Sequence, residues 1–368
     1  MTMDVADTEV GTLRAGFLGA GFMAQVHSRA SRAAGALLQS VASSRVTSAQ
    51  EAARTLRIDR AEQDTADLLA ADDIDVVHVC TPNATHAGYA AAAVAAGKHV
   101  ICEKPLATTV DDARLLVEAA QVHGVVGAVP FVYRYHPIVR EARARIASGE
   151  VGTLLTLDCS YLQDWLLEAG DENWRVDAAQ GGASRAFADI GSHLVDLIEF
   201  VTGDRVARLS ARTRTVFPRR AGNAVANEDI AALVVELAGG ALGTILVSQM
   251  APGRKNALVL ELHGTAESLR FAQERPEELW IGRREGSQLI LRDPIAASPD
   301  SARLSLVPAG HPMGYQDAFN AFVSDAYAAM SGDTPDGLPT FDDGLRSVIL
   351  TAAVLESAAT GQWVEVHS

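Results

Sequence analysis

Short apolar runs alternate with longer helix-forming stretches over the first third of the chain, while further along one apolar run follows another. Leu13 to Leu18, Leu37 to Ala42, Val76 to Cys80, His99 to Cys102 and Val125 to Val129 are nearly continuous in apolar residues. That is the pattern of strands covered on both faces, and within Val76 to Cys80 only His78 is polar. Between them, Met23 to Ala34 and the alanine-rich Ala84 to Ala96, closed by Gly97, predict helices, and Thr108 or Thr109 can cap another. Strands alternating with helices predict an open parallel sheet flanked by helices, whose ligands bind beyond the carboxyl ends of the strands.

From about Pro130 the period changes. Val151 to Ser160, Val206 to Thr215, Ile230 to Leu237, Ala241 to Gln249 and Ala257 to His263 read as consecutive strands, with turns such as Ala238-Gly239-Gly240 between them. This predicts a large, mostly antiparallel sheet, with helices returning near Gln316 to Met330 and Asp342 to Thr360. The expected class is α/β, with a dinucleotide-binding Rossmann domain over residues 1–129 and an α+β substrate-binding and oligomerisation domain over residues 130–368. The cleft between them is the expected binding site.

Candidate chemistry lies at the ends of the first strands. Gly19-Ala20-Gly21-Phe22-Met23-Ala24 joins a strand to a helix: Gly19 permits the tight turn, Gly21 lets a pyrophosphate approach the backbone, and Ala24 packs helix on strand. The free N–H groups of the first helical turn and its dipole favour phosphate there. A plain turn needing small residues for packing would read similarly. After the second strand come Ser43, Ser44 and Arg45, with no carboxylate before Glu51. A hydroxyl pair followed by an arginine suits a ribose 2′-phosphate, so the lean is to NADP over NAD. Thr81, Pro82 and Asn83 end the third apolar run, and Glu103-Lys104-Pro105 follows the fourth, which sets Asn83 and Lys104 at the ligand-binding edge of the sheet.

Leu13 to Phe22 with His27, Cys80-Thr81-Pro82-Asn83, Gly97 to Leu106 and Ala188-Asp189-Ile190-Gly191-Ser192-His193-Leu194-Val195-Asp196 resemble the glucose–fructose oxidoreductase, inositol dehydrogenase and rhizopine-catabolism (Gfo/Idh/MocA) family. Tyr161 to Trp165 with Asn173-Trp174-Arg175 look like its sugar-dehydrogenase branch that includes levoglucosan dehydrogenase. One departure is Val132, where many members carry an asparagine. Asp189 and His193, four apart, would by spacing alone only pair or cap on a surface; the resemblance implies catalytic roles. It implies His193 as general base, Asp189 as the carboxylate that orients it or relays its proton, and Lys104 as the cation that stabilises an alkoxide. Lys104 as the acid or base itself stays open, and Glu103 would pair with or position Lys104, or contact the nicotinamide ribose.

The cofactor set expected from these readings is Gly19, Gly21, Phe22, Met23, Ser43, Ser44, Arg45, Thr81, Pro82, Asn83, His86, Glu103 and Lys104. His86 either packs or reaches the cofactor, and His99 reads as structural. Tyr133, Arg134, Trp165, Arg175 and Tyr315, with Lys104, Asp189 and His193, are the candidates to meet a sugar, offering polar groups to hydroxyls and rings to C–H faces. Trp165 and Trp174 read equally as core, Gln163 and Asp164 as hydroxyl ligands or turn residues, and His311 as a loop residue. The expected activity is NAD(P)-dependent oxidation of a secondary alcohol of a sugar, glycoside or cyclic polyol. Two alternatives remain: an NAD-dependent glycosidase of the same fold, and a non-catalytic dinucleotide-binding sugar sensor.

Composition narrows the class. The 368 residues are 48% hydrophobic, enough for a large core and two domains. A net charge of −15 argues against a nucleic-acid partner, which needs a basic surface. No stretch is long and apolar enough for a membrane span, and Met1 to Thr12 carry acids without the basic and apolar regions of a secretory signal. Cys80, Cys102 and Cys159 are far apart and read as reduced thiols of a cytoplasmic protein; no histidine or cysteine spacing suggests a metal site. A homo-oligomer, formed through the open face of the second sheet, is what the resemblance implies.

Overall fold

The computed structural model describes residues 12–367. Of the segment read for a secretory signal, residues 1–11 lie outside them. Four strands and two short edge strands form a parallel sheet: β1 (Arg14–Leu18), β2 (Leu37–Ala42), β3 (Arg60–Ala61), β4 (Val76–Val79), β5 (His99–Cys102) and β6 (Gly127–Ala128), in the order β3-β2-β1-β4-β5-β6. The order reverses between β1 and β4, so the turns after these two strands diverge and leave a crevice. Gly19, at φ +110°, sits there because a Cβ would lie 2.5 Å from the Cys80 carbonyl oxygen. Only two of the five residues expected in the last strand pair as strand; Val129 turns to the Pro339 carbonyl instead.

The second sheet has nine strands: β7 (Leu154–Leu162), β8 (Val206–Arg214), β11 (Ile230–Leu237), β12 (Leu242–Ser248), β13 (Ala257–Gly264), β14 (Ser268–Ala272), β15 (Glu278–Arg283), β16 (Gly286–Leu291) and β17 (Val364–Glu365), with β9 (Arg219–Arg220) and β10 (Asn223–Ala224) forming a separate hairpin. Its order is β16-β15-β14-β13-β7-β12-β11-β8-β17. Pairing is antiparallel except between β7 and β12, which run side by side in the same direction. One face carries the alternate apolar residues of β7, β11, β12 and β13, which pack on the helices Pro137–Ala147, Ser192–Thr202 and Phe341–Thr360. Leu194, Leu197 and Ile198 are fully buried in that core. On the opposite face Val234, Leu242 and Leu246 are exposed. No helix among the described residues is long and apolar enough to cross a membrane.

The helix Tyr315–Met330, from the far end of the chain, packs on the helix Phe22–Ala33 beside the first sheet. Phe319, Phe322 and Val323 are wholly buried in that layer. Removing the Phe319 ring leaves a cavity that rigid neighbours cannot close, so Phe319→Ala is expected to lower unfolding free energy by about 3–5 kcal/mol in urea denaturation.

Candidate active site

The crevice opens into a cavity of about 970 Å³ that runs from the glycine turn to the second sheet. At its first end lie Gly19, Gly21, Phe22, Met23, Ser43, Ser44, Thr81, Pro82, Asn83 and His86. No side chain caps the helix Phe22–Ala33, and its first turn carries no acidic residue. A Cβ on Gly21 would meet nothing within 4 Å. The first-turn N–H groups are therefore open to an anion, and the residues present fit a dinucleotide pyrophosphate. Arg45 is exposed at the start of the next helix and is absent from the cavity lining. Asn83 is buried, and its Nδ2 donates to the Gly181 carbonyl at 2.9 Å, tying the first sheet to the segment before Asp189. The two ring nitrogens of His86 lie against the carbonyls of Pro105 and Thr81, 2.7 and 2.8 Å away, and clamp the two strand-end turns together. His99 accepts the Val126 backbone N–H, the structural role expected of it.

Lys104 and Asp189 meet at the centre. Lys104 follows β5, and Nζ donates to Asp189 Oδ1 at 2.8 Å and to the Asp189 carbonyl at 2.7 Å. Asp189 lies in one turn of π-helix, Phe187–Gly191, which leads into the helix Ser192–Thr202 carrying His193. Its Oδ2 accepts from Gln249 Nε2 at 3.0 Å, and Arg175 Nε is 3.3 Å from Oδ1. Burial alone would raise the Asp189 pKa, but the positive charges of Lys104 and Arg175 hold it well below the usual carboxylate range. This corrects the expected pairing: the aspartate binds the lysine and makes no hydrogen bond to His193. The spacing of four put the two on one helical face, yet the π-turn and the nearby ammonium decide the partner.

His193 stands alone among rings. Its centroid is 5.1 Å from Tyr133 and 5.8 Å from Phe131, both edge-on, and its Nδ1 is buried without a partner. That leaves Nε2 as the nitrogen open to the cavity. Burial, with the Lys104 charge nearby, pushes its pKa down to about 3, so the ring is neutral.

Further out, Tyr133, Trp165, Arg175 and Tyr315 all line the cavity, as expected. Arg134 does not. It is buried against Asp196 and Asp343 and lines a second cavity of about 390 Å³ under Phe200. The chain makes a 3-10 turn at Val132–Tyr135, so neighbouring side chains diverge and only Tyr133 faces the site. Tyr161, Asn173 and Trp174, from the segments that carry the sugar-dehydrogenase resemblance, also line the cavity, as do Asn256 and Thr65, which were not anticipated. Tyr133 and Tyr161 hydroxyls are 2.6 Å apart, Tyr161 donates to Asn256 Oδ1, and Gln163 Nε2 donates to the same oxygen at 2.9 Å. Trp165, about one-third exposed at 37%, donates through Nε1 to Gln163. Strand alternation in β7 could have pointed to Tyr161, since it faces the same way as Leu157 and Cys159; Asn256, just before β13, carries no such signal. Asp164 closes a turn by binding Lys255 and the Gly253 N–H, and His311 bonds through its backbone, the carbonyl accepting from Arg292 and the N–H donating to Pro308.

The environment of His193 has a measurable consequence. Its folded pKa lies below the unfolded value of about 6.5, so the stability it contributes is complete above that pH and is lost as pH falls toward the folded value. In nitrogen NMR of labelled protein, the ring is expected to stay neutral from about pH 8 to about pH 5. In Lys104→Met, which removes a neighbouring cation, its midpoint moves up; titration near the ordinary histidine value in the wild type would contradict the placement.

Two family profiles match the chain: "Oxidoreductase family, NAD-binding Rossmann fold" over residues 13–131 and "GFO/IDH/MocA C-terminal domain" over residues 139–270. Levoglucosan dehydrogenase of Pseudarthrobacter phenanthrenivorans is 31% identical, over 96% of this chain and 98% of the relative. An oxidoreductase domain protein from Kribbella flavida superposes with a TM-score of 0.90 at 35% identity, covering 97% of this chain and 100% of that one. A levoglucosan dehydrogenase in complex with NADH and L-sorbose gives 0.91 at 31% identity, covering 97% and 99%. The glycine turn, the Lys104 and Asp189 pair and the nine-stranded sheet thus sit in a chain that belongs to the Gfo/Idh/MocA family of NAD-binding oxidoreductases.

Proposed function

We propose that this oxidoreductase removes hydrogen from a secondary alcohol on the ring of a sugar, glycoside or cyclic polyol. The observation that carries the reading is the convergence of Lys104 and neutral His193 on one cavity that also reaches the glycine turn. Support comes from the relatives, several of which are named as sugar dehydrogenases.

When bound, the dinucleotide supplies the nicotinamide carbon that accepts the hydride. The chain's own groups handle binding and the proton. The Lys104 ammonium, fixed by Asp189, offers its remaining N–H to the substrate oxygen and favours its alkoxide form. His193 Nε2 accepts the hydroxyl proton; being neutral in this site, it is ready to do so without first losing one. Asp189 acts by holding Lys104 and, with Gln249 and Arg175, by keeping the ammonium aimed. Tyr133, Trp165, Arg175 and Tyr315 form the substrate walls, with Asn256 and Gln163 presenting amides to hydroxyls.

For the dinucleotide we favour NADP, because the cavity at the ribose end is lined by Ser43, Ser44 and Thr65, with Arg45 exposed beside them. We assign residues 1–129 to dinucleotide binding and residues 130–368 to substrate and subunit contacts, in a cytoplasmic protein. A panel of sugars and polyols with NAD and NADP is the test. Net accumulation of reduced nicotinamide is expected, which an oxidising and re-reducing glycosidase would not give. Lys104→Ala and His193→Ala are each expected to lower kcat by about 10²–10⁴; wild-type turnover in either would remove the assigned roles.

The exposed row of Val234, Leu242 and Leu246 on the uncovered sheet face is proposed to meet a second copy of the chain. Light scattering should then find an oligomer that Leu246→Arg shifts to a smaller species, through an unpaired charge set in an apolar interface.

A further inference from the structure

Behind Glu103 lies a line of buried polar side chains that the mechanism does not use. Glu103 Oε1 is 3.1 Å from His27 Nε2, His27 Nδ1 is 2.9 Å from His78 Nδ1, and His78 Nε2 is 2.8 Å from the Tyr327 hydroxyl. Ser31 Oγ lies 2.9 Å from that hydroxyl. Both histidines and Ser31 are wholly buried, and Tyr327 and Glu103 nearly so. The other carboxylate oxygen, Glu103 Oε2, accepts the backbone N–H of Lys104 at 3.2 Å.

Proton counting orders the line. An ionised Glu103 only accepts, so His27 Nε2 must carry a proton. With one proton on the ring, at Nε2, His27 has a bare Nδ1, and at 2.9 Å His78 Nδ1 is the donor to it. His78, neutral because burial among Phe17 and its other neighbours disfavours charge, is left with a bare Nε2 facing two hydroxyls, Tyr327 at 2.8 Å and Ser31 at 3.3 Å. Tyr327 donates to Ser31, so the Ser31 hydroxyl is the one left to donate to His78. Each donor points toward the carboxylate, and each ring is confined to one tautomer.

We propose that His27, His78 and Tyr327 are positioning residues: their one-way hydrogen-bond line fixes the Glu103 carboxylate, which in turn fixes the backbone at Lys104. The line begins in the helix Tyr315–Met330, crosses β4 and the helix Phe22–Ala33, and ends at the turn after β5. It therefore couples the packing of a distant helix to the aim of the ammonium. Its relevance to turnover rests on the role given above to Lys104, but the line itself is measurable without substrate.

The test is nitrogen NMR of histidine-labelled full-length protein together with hydrogen exchange at the Lys104 amide. In the wild type, His27 is expected as the Nε2–H tautomer and His78 as the Nδ1–H tautomer, with a coupling across the Nδ1 to Nδ1 bond. The opposite tautomer of either ring, or a His27 imidazolium at neutral pH, overturns the proposal, and this reading needs no variant to fold. His27→Leu should speed exchange at Lys104 about tenfold or more, the loss expected for a hydrogen bond to a charged group. His27→Gln, whose amide can donate where Nε2 did, should retain protection. On the sugar that responds in the panel, kcat should fall in His27→Leu and largely recover in His27→Gln. Equal protection, or equal kcat, in folded His27→Leu overturns it. A panel with no responsive sugar would remove the functional reading and leave the tautomer and exchange results to decide this one.

Discussion

The buried contact between the Lys104 ammonium and Asp189 organises this molecule. It joins the end of a strand in the first sheet to a helical turn packed on the second. Both charges are nearly out of water, and an isolated buried charge costs several kcal/mol, so either group alone would be strongly unfavourable there. Their pairing is completed by the Asp189 carbonyl on the ammonium and by Gln249 and Arg175 on the carboxylate. Such a pair adds little net stability compared with apolar packing, yet it admits few geometries. It fixes where a positive charge faces the cavity, which is the property an alkoxide-stabilising site requires.

That charge also shapes its neighbours. His193 is held neutral by burial and by the nearby cation, so one residue supplies positive charge while the other is left as a proton acceptor. The lysine amine is the stronger base of the two by nature, and the buried setting of His193 widens that difference. The rings of Tyr133 and Phe131 around His193 offer no competing hydrogen bond to Nδ1, which leaves the imidazole dependent on whatever enters from the cavity side.

Elsewhere the second sheet is secured by its own buried arginines. Arg134 binds Asp196 and Asp343, and Arg185 and Arg220 share Asp229. These pairs explain why an arginine next to a cavity residue can be wholly structural. Arg134 is adjacent to Tyr133 in sequence, yet its planar fork meets two carboxylates contributed by residues Asp196 and Asp343, far along the chain.

The sequence by itself determined the alternation of strand and helix in the first sheet, the glycine turn, and the positions of Lys104 and His193, because those features are local: periodicity, turn chemistry and a contiguous motif. It also indicated five strands of the second sheet, but missed β14, β15, β16 and β17; β16 is exposed on both faces and so lacks the alternation that marks a half-buried strand. What only the tertiary structure decided were the partners. That Asp189 serves Lys104 and not His193, that Arg134 turns to Asp196, that β7 lies parallel to β12, and that Tyr327 reaches His78 across 249 positions all depend on contacts between distant segments. A side chain's hydrogen-bonding capacity is written in its residue type, whereas the atom that satisfies it is chosen by packing, and packing is a property of the whole chain.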